Sequence, residues 1–157
     1  MITSAPGTKL TKPSAQNSNS PAQPEPPVFF IDRSLGGKIV PTKLREAGWK
    51  VEHHDDHFSD NTPDATWISE AGRHGWVILT ADERIRYKPA EKAALLNSGT
   101  LTFLLASRKG LTGVEMADAF LSVEVSIINA IAKQHPPAIF KVYAAERRVE
   151  LWIEGDF

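Results

Sequence analysis

Val28-Phe29-Phe30-Ile31-Asp32 and Trp76-Val77-Ile78-Leu79-Thr80-Ala81-Asp82 decide how this chain reads. Each is a short, unbroken apolar run followed closely by a carboxylate. Runs without alternation are what strands buried on both faces look like, and such strands belong to parallel sheets covered by helices. Open parallel sheets bind their ligands beyond the carboxyl ends of the strands. Asp32 and Asp82 stand at those ends, so the pattern predicts an α/β domain with an acidic edge.

Outward from these runs, two periods alternate. Residues 41–47 read as a short helix, with proline in the first turn and Gly48 just past the end. A second strand is expected over 50–53. Thr62-Pro63-Asp64 reads as N-cap, N1 and N2 of a helix running to about His74 and stopped by Gly75. A third strand over 76–79, a helix over 90–97 and a fourth strand over 100–105 follow. Thr112-Gly113-Val114-Glu115 has the form of a capping box before one long helix ending near Lys133. On it Ala117, Phe120, Leu121, Ile127, Ile128 and Ile131 share an apolar face, while Glu115, Asp118 and Glu124 exclude a membrane span. Residues 139–143 and 149–153 alternate like a β-hairpin. The sum is a three-layer α/β/α fold with a mostly parallel central sheet and a C-terminal hairpin.

Length and composition bound the rest. A chain of 157 residues is about one domain and long enough for a sizeable core. Residues 1–27 hold six prolines among Ser, Thr, Asn and Gln with few large apolar side chains, so a disordered tail or a partner-bound arm is expected there and one domain over 28–157. The absence of cysteine excludes disulfides, thiolate zinc sites and a cysteine nucleophile. No stretch is long and apolar enough to span a membrane, and Met1-Ile2-Thr3-Ser4-Ala5-Pro6 lacks the regions of a signal peptide, so a cytoplasmic location is expected. With a net charge of −1 there is no global basic field, and a nucleic acid would have to be held by local basic groups and bridging cations.

Three carboxylates are predicted to meet: Asp32, Asp82 and, at the start of a crossover helix, Asp64. Converging acids repel one another unless some stay protonated or a cation joins them. Mg²⁺ or Mn²⁺ is the economical answer, since such an ion takes few protein carboxylates, keeps waters and promotes in-line attack on a phosphate. Phosphodiester hydrolysis is the reaction expected. Plain readings compete. Asp64 suits a helix N-terminus through the macrodipole alone, Asp32 can simply open a turn, and Thr80-Ala81-Asp82-Glu83 matches a capping box that would make Glu83 structural.

Other clusters weigh less. Glu52-His53-His54-Asp55-Asp56-His57 could attract a transition metal, yet a loop after the second strand accounts for most of it. Arg84, Arg86 and Lys88, with Lys92 beyond, form either a solvated face or a patch that positions substrate phosphates, with Tyr87 placed to stack on a base. Trp49, Trp67, Trp76 and Trp152 read as core or interface residues.

The order Phe29-Phe30-Ile31-Asp32-Arg33-Ser34-Leu35, Leu44-Arg45-Glu46-Ala47-Gly48-Trp49, Pro63-Asp64-Ala65-Thr66-Trp67-Ile68 and Trp76-Val77-Ile78-Leu79-Thr80-Ala81-Asp82 resembles the PIN-like domain family, in particular the toxin ribonucleases of bacterial toxin–antitoxin pairs. The resemblance covers residues 28–110. It implies a Mg²⁺- or Mn²⁺-dependent endoribonuclease, an RNA substrate and a cognate antitoxin, with a homodimer left open. Carried over, Asp32 is the first acid, Asp64 the middle acid and Asp82 the acid after the third strand. Many members carry a further acid two residues on, where this chain has Arg84; Asp55, Asp56, Glu83 or water would then complete the shell. Two alternatives remain: a non-catalytic PIN-like binding module, and a receiver-like phospho-acceptor domain, which wants an acidic pair where Asp32-Arg33 stands.

Overall fold

Strand β1, Val28–Ile31, has a parallel neighbour on each side: β2, Lys50–His53, and β3, Val77–Thr80. This is why its four residues are all apolar. Phe30 and Ile31 are fully buried, and polar groups there would lie in helix-covered layers on either face. The computed structural model describes residues 25–107 and 110–154, without the side chain of Arg86. The tail expected over 1–27 thus lies outside the described residues except for 25–27, which join no helix or strand.

Six strands form one sheet in the order β2-β1-β3-β4-β5-β6, with β4 at Leu101–Ala106, β5 at Ala138–Tyr143 and β6 at Arg148–Glu154. Every pair is parallel but the last, β5 with β6, which is the expected hairpin. Helices α1 (Ile39–Glu46), α4 (Gly113–Ser122) and α5 (Glu124–Lys133) cover one face through Leu44, Phe120 and Ile127, which meet Phe29, Ile31, Leu79 and Phe103. Helices α2 (Asp64–Arg73) and α3 (Pro89–Asn97) cover the other through Trp67, Ile68 and Leu95, around Phe30, Ile78 and Ile139. The α/β/α arrangement is the one expected.

Two local expectations are corrected. The long helix is two, because Val123 leaves helical geometry at φ −115°, ψ 20°. Ser122 Oγ donates to the Ala119 carbonyl at 2.7 Å, a local bond that competes with the helical ladder, and the break sinks Val123 into the core. The capping box at Thr112 and Glu115 is present, but Thr80 and Glu83 form none. Asp82 caps the 3₁₀ turn Glu83–Arg86 instead, accepting from the Arg84 N–H, and the Thr80 hydroxyl is used elsewhere.

Packing on the α2–α3 side places the acidic edge. Phe30 stacks between Trp67 of α2 and Trp76, with ring centroids 5.4 and 5.5 Å away, so the helix that begins with Asp64 is seated on β1. Truncating such a buried ring costs about 3–5 kcal/mol. Gly72 lets α2 approach the end of α3, since a Cβ there would fall 2.3 Å from the Ser98 carbonyl oxygen. The first turns of both helices then open over the carboxyl ends of β1 and β3.

Candidate metal centre

Asp32 leaves β1 in extended conformation, its N–H bonded to the Leu79 carbonyl of β3 at 3.1 Å. Its Oδ2 accepts from two hydroxyls, Thr80 Oγ1 at 2.7 Å and Ser34 Oγ at 2.8 Å. Each hydroxyl spends its proton on Asp32 and accepts a backbone N–H of the loop after β3: Asp82 N–H on Thr80 at 3.1 Å, Ala81 N–H on Ser34 at 2.9 Å. One network thereby ties the ends of β1 and β3. Only 8% of Asp32 is exposed, and burial pushes its carboxyl above the ordinary value despite the two hydroxyl bonds; the nearby Asp64 charge pushes the same way.

Asp64, first residue of α2, accepts from Trp67 Nε1 at 2.9 Å. The indole is one turn further along the helix, so Trp67 both buries its ring in the core and orients the carboxylate. Asp82 is gripped differently. Arg84 Nε reaches Oδ1 at 2.9 Å and Nη2 reaches Oδ2 at 3.0 Å, while the Arg84 N–H adds a third bond to Oδ1 at 3.0 Å. Burial alone would raise the Asp82 carboxyl, but these bonds and the charges of Arg84 and Lys88 outweigh it and hold it below its ordinary value.

The fourth acid is one that sequence reasoning did not select. Glu91, in the first turn of α3, meets Asp64 and Asp82 with one oxygen from each lying within 4.8 Å of the others. Burial, a hydrogen bond with Asp64 and the charges of Asp64 and Asp82 push its carboxyl up, and Lys88, 3.4 Å away, partly opposes them. Its placement follows from the α2–α3 packing. Pro89 at the first position of a helix was the available signal, because it puts Glu91 in the first turn, on the same edge as Asp64.

Asp32 lines the same cleft as Asp64, Asp82 and Glu91 but stays outside the 4.8 Å group. Room remains between the four for about one water-sized species, a volume of about 10 Å³. Three half-buried carboxylates that converge on so small a space are hard oxygen donors suited to Mg²⁺ or Mn²⁺, and the donor set fits such an ion.

The other residues weighed lie elsewhere. Glu83 faces a separate groove of about 1010 Å³ with Glu115 and Asp118. Asp56 is paired with Arg45 and Asp55 sits beside His54, so neither lines the acidic cleft. His53 is buried with both ring nitrogens engaged, Nε2 with the Gly36 carbonyl and Nδ1 with the Asp55 N–H; His54 packs among Phe30, Phe58 and Trp67. The histidine cluster is thus structural. Arg84 and Lys88 each contact an acid of the cleft, Tyr87 is exposed between them, and the Arg86 side chain is outside the described residues.

Comparison with known proteins gives the family of the chain. A family model described as "PIN like domain" matches residues 27–107, which run from just before β1 to just past β4. The chain belongs to the PIN-like domain family. A Mycobacterium tuberculosis (strain ATCC 25618 / H37Rv) protein bearing the name "Putative ribonuclease VapC45" is 28% identical over 122 residues, covering 75% of this chain and 87% of that relative. No solved structure gives a significant match. Three of the acids, Asp32, Asp64 and Asp82, were assigned from sequence to this PIN-like site, and all four acids fall inside the matched span.

Proposed function

We propose that this PIN-like protein is a Mg²⁺- or Mn²⁺-dependent endoribonuclease acting in the cytoplasm as the toxin of a toxin–antitoxin pair. The observation that carries the reading is the convergence of Asp64, Asp82 and Glu91 within 4.8 Å, with Asp32 in the same cleft. Similarity to a relative named as a ribonuclease supports RNA as the substrate, and the resemblance to toxin ribonucleases suggests a cognate antitoxin as the partner. Among the described residues no helix is long and apolar enough to cross a membrane.

Asp32, Asp64 and Asp82 are the proposed catalytic and metal-holding residues, with Glu91 added by the packing of α3. A divalent ion held there would supply a more acidic water and neutralise charge on a scissile phosphodiester. The chain's own part is to hold the oxygens in place: Ser34 and Thr80 fix Asp32, Trp67 fixes Asp64, and the 3₁₀ turn fixes Asp82. Arg84, Arg86 and Lys88 are the proposed phosphate contacts, and Tyr87, 78% exposed beside them, offers a ring on which an unpaired base can stack.

One observation favours the binding-module reading, the bidentate hold of Arg84 on Asp82 at a place where the family resemblance implies a further acid. Cleavage of single-stranded RNA by the wild type, Asp64→Asn and Asp82→Asn, with Mn²⁺ and with chelator, separates the two. The nuclease reading expects Mn²⁺-dependent cleavage by the wild type alone. Equal cleavage by the variants would remove the acidic cleft as the active site, and no cleavage by the wild type would replace the nuclease with the binding module.

A further inference from the structure

We infer that Arg84 is the built-in cation of the metal-free site, competing with a divalent ion for Asp82 and releasing it when the ion binds. This rests on the metal-site reading above and goes beyond it in assigning Arg84 a role toward the ion and not only toward RNA.

The lone pairs decide it. A carboxylate has about four acceptor positions, two on each oxygen. On Asp82 the Oδ1 positions are both taken, by Arg84 Nε at 2.9 Å and by the Arg84 N–H at 3.0 Å, and Arg84 Nη2 takes one on Oδ2 at 3.0 Å. A divalent ion that joins Asp64, Asp82 and Glu91 must therefore take the one remaining Oδ2 position beside the guanidinium or displace it. Sharing is unfavourable, because two cations on one carboxylate repel at short range where the site is partly shielded from water.

Displacement meets little resistance. The Asp82 side chain is 14% exposed but that of Arg84 is 67% exposed, so the guanidinium can swing into solvent without opening a cavity. The backbone bond from the Arg84 N–H stays in place and keeps Asp82 oriented as it changes partner. Glu91 has a weaker version of the same arrangement in Lys88, at 3.4 Å, whereas Asp64 is held by the neutral indole of Trp67 and a hydrogen bond with Glu91. Arg84 is thus the group with the strongest hold on a ligand of the cleft.

Calorimetric titration of the full chain with Mn²⁺ alone, without RNA, tests this with wild type, Arg84→Gln and Arg84→Lys, each first shown to be folded by thermal melting in chelator. Loss of an exposed charged competitor should tighten Mn²⁺ binding about two- to fivefold in Arg84→Gln. Arg84→Lys keeps the charge and loses the fork, so its affinity should fall between the other two. Unchanged or weaker Mn²⁺ binding by Arg84→Gln overturns the inference, the weaker case showing that Arg84 positions Asp82 for the ion. If wild type binds Mn²⁺ and the variants match it, only this inference falls. If none of the three binds Mn²⁺, the metal-site reading falls and the inference with it.

Discussion

The ends of β1 and β3 pose the same problem and solve it in opposite ways. Both are apolar strands that deliver an aspartate to the cleft. At the β1 end Asp32 is buried and receives neutral donors, the Ser34 and Thr80 hydroxyls and the Arg33 N–H, and its carboxyl is driven up. At the β3 end Asp82 lies against an exposed guanidinium, and its carboxyl is driven down. The lesson concerns what neutralises a carboxylate. Hydroxyls orient a charge without cancelling it, so burial prevails at Asp32; an arginine cancels it, so ionisation prevails at Asp82.

Activity should respond most. Asp64→Asn and Asp82→Asn each remove an oxygen donor at the point where three converge, and RNA cleavage should drop by more than the about 10–100-fold typical of residues that only support a ligand. Glu91→Gln should behave like them in a Mn²⁺-dependent cleavage assay. Retained activity in Glu91→Gln would return the site to the three aspartates alone.

Stability should separate the two strand ends by sign. In chelator, Thr80→Val strips Asp32 of one donor and the Asp82 N–H of its acceptor, which should cost about 1–3 kcal/mol by denaturant unfolding. Asp32→Asn should instead stabilise the metal-free protein at neutral pH. The sign follows from linkage: a carboxyl whose pKa is raised by folding favours the folded state most below its ordinary value of 3.8, and that contribution is lost as pH rises through the folded value. The gain from Asp32→Asn should accordingly grow as pH climbs above about 4. Asp82 works the other way, since its lowered pKa gives a contribution present above 3.8 and lost as pH falls through the folded value. Asp82→Asn should therefore lower the melting temperature slightly at neutral pH. Equal signs for the two aspartate variants would show that the strand ends do not differ as described.

The smallest effect is expected from removing residues 1–24. The sheet starts at Val28, and six prolines with few apolar side chains over 1–27 leave little surface to bury, so the melting temperature should hardly move. A marked fall would show that the arm docks on the folded part.

Much of this architecture was legible in the chain, and the reasons are particular. Val28–Ile31 and Val77–Thr80 are too short and too uniformly apolar for anything but central strands, and parallel topology then put Asp32 and Asp82 on one edge. Thr112 and Glu115 announced their capping box. What stayed hidden depended on tertiary packing. Glu91 joins the cleft because Gly72 lets α2 and α3 close on each other. Arg84 read as part of a solvated face or a phosphate-positioning patch, as nothing local shows that its side chain doubles back over two residues onto Asp82. The break at Val123 was invisible because the apolar face of α4 and α5 keeps helical spacing across it.

The account stands or falls on where a divalent ion goes. The most direct measurement is the anomalous difference map of a crystal of the full chain soaked in Mn²⁺. A single peak within ligating distance of carboxylate oxygens from Asp64, Asp82 and Glu91, with the Arg84 guanidinium moved off Asp82, is the result expected. An empty cleft at saturating Mn²⁺, with Arg84 still holding both Asp82 oxygens, would contradict it.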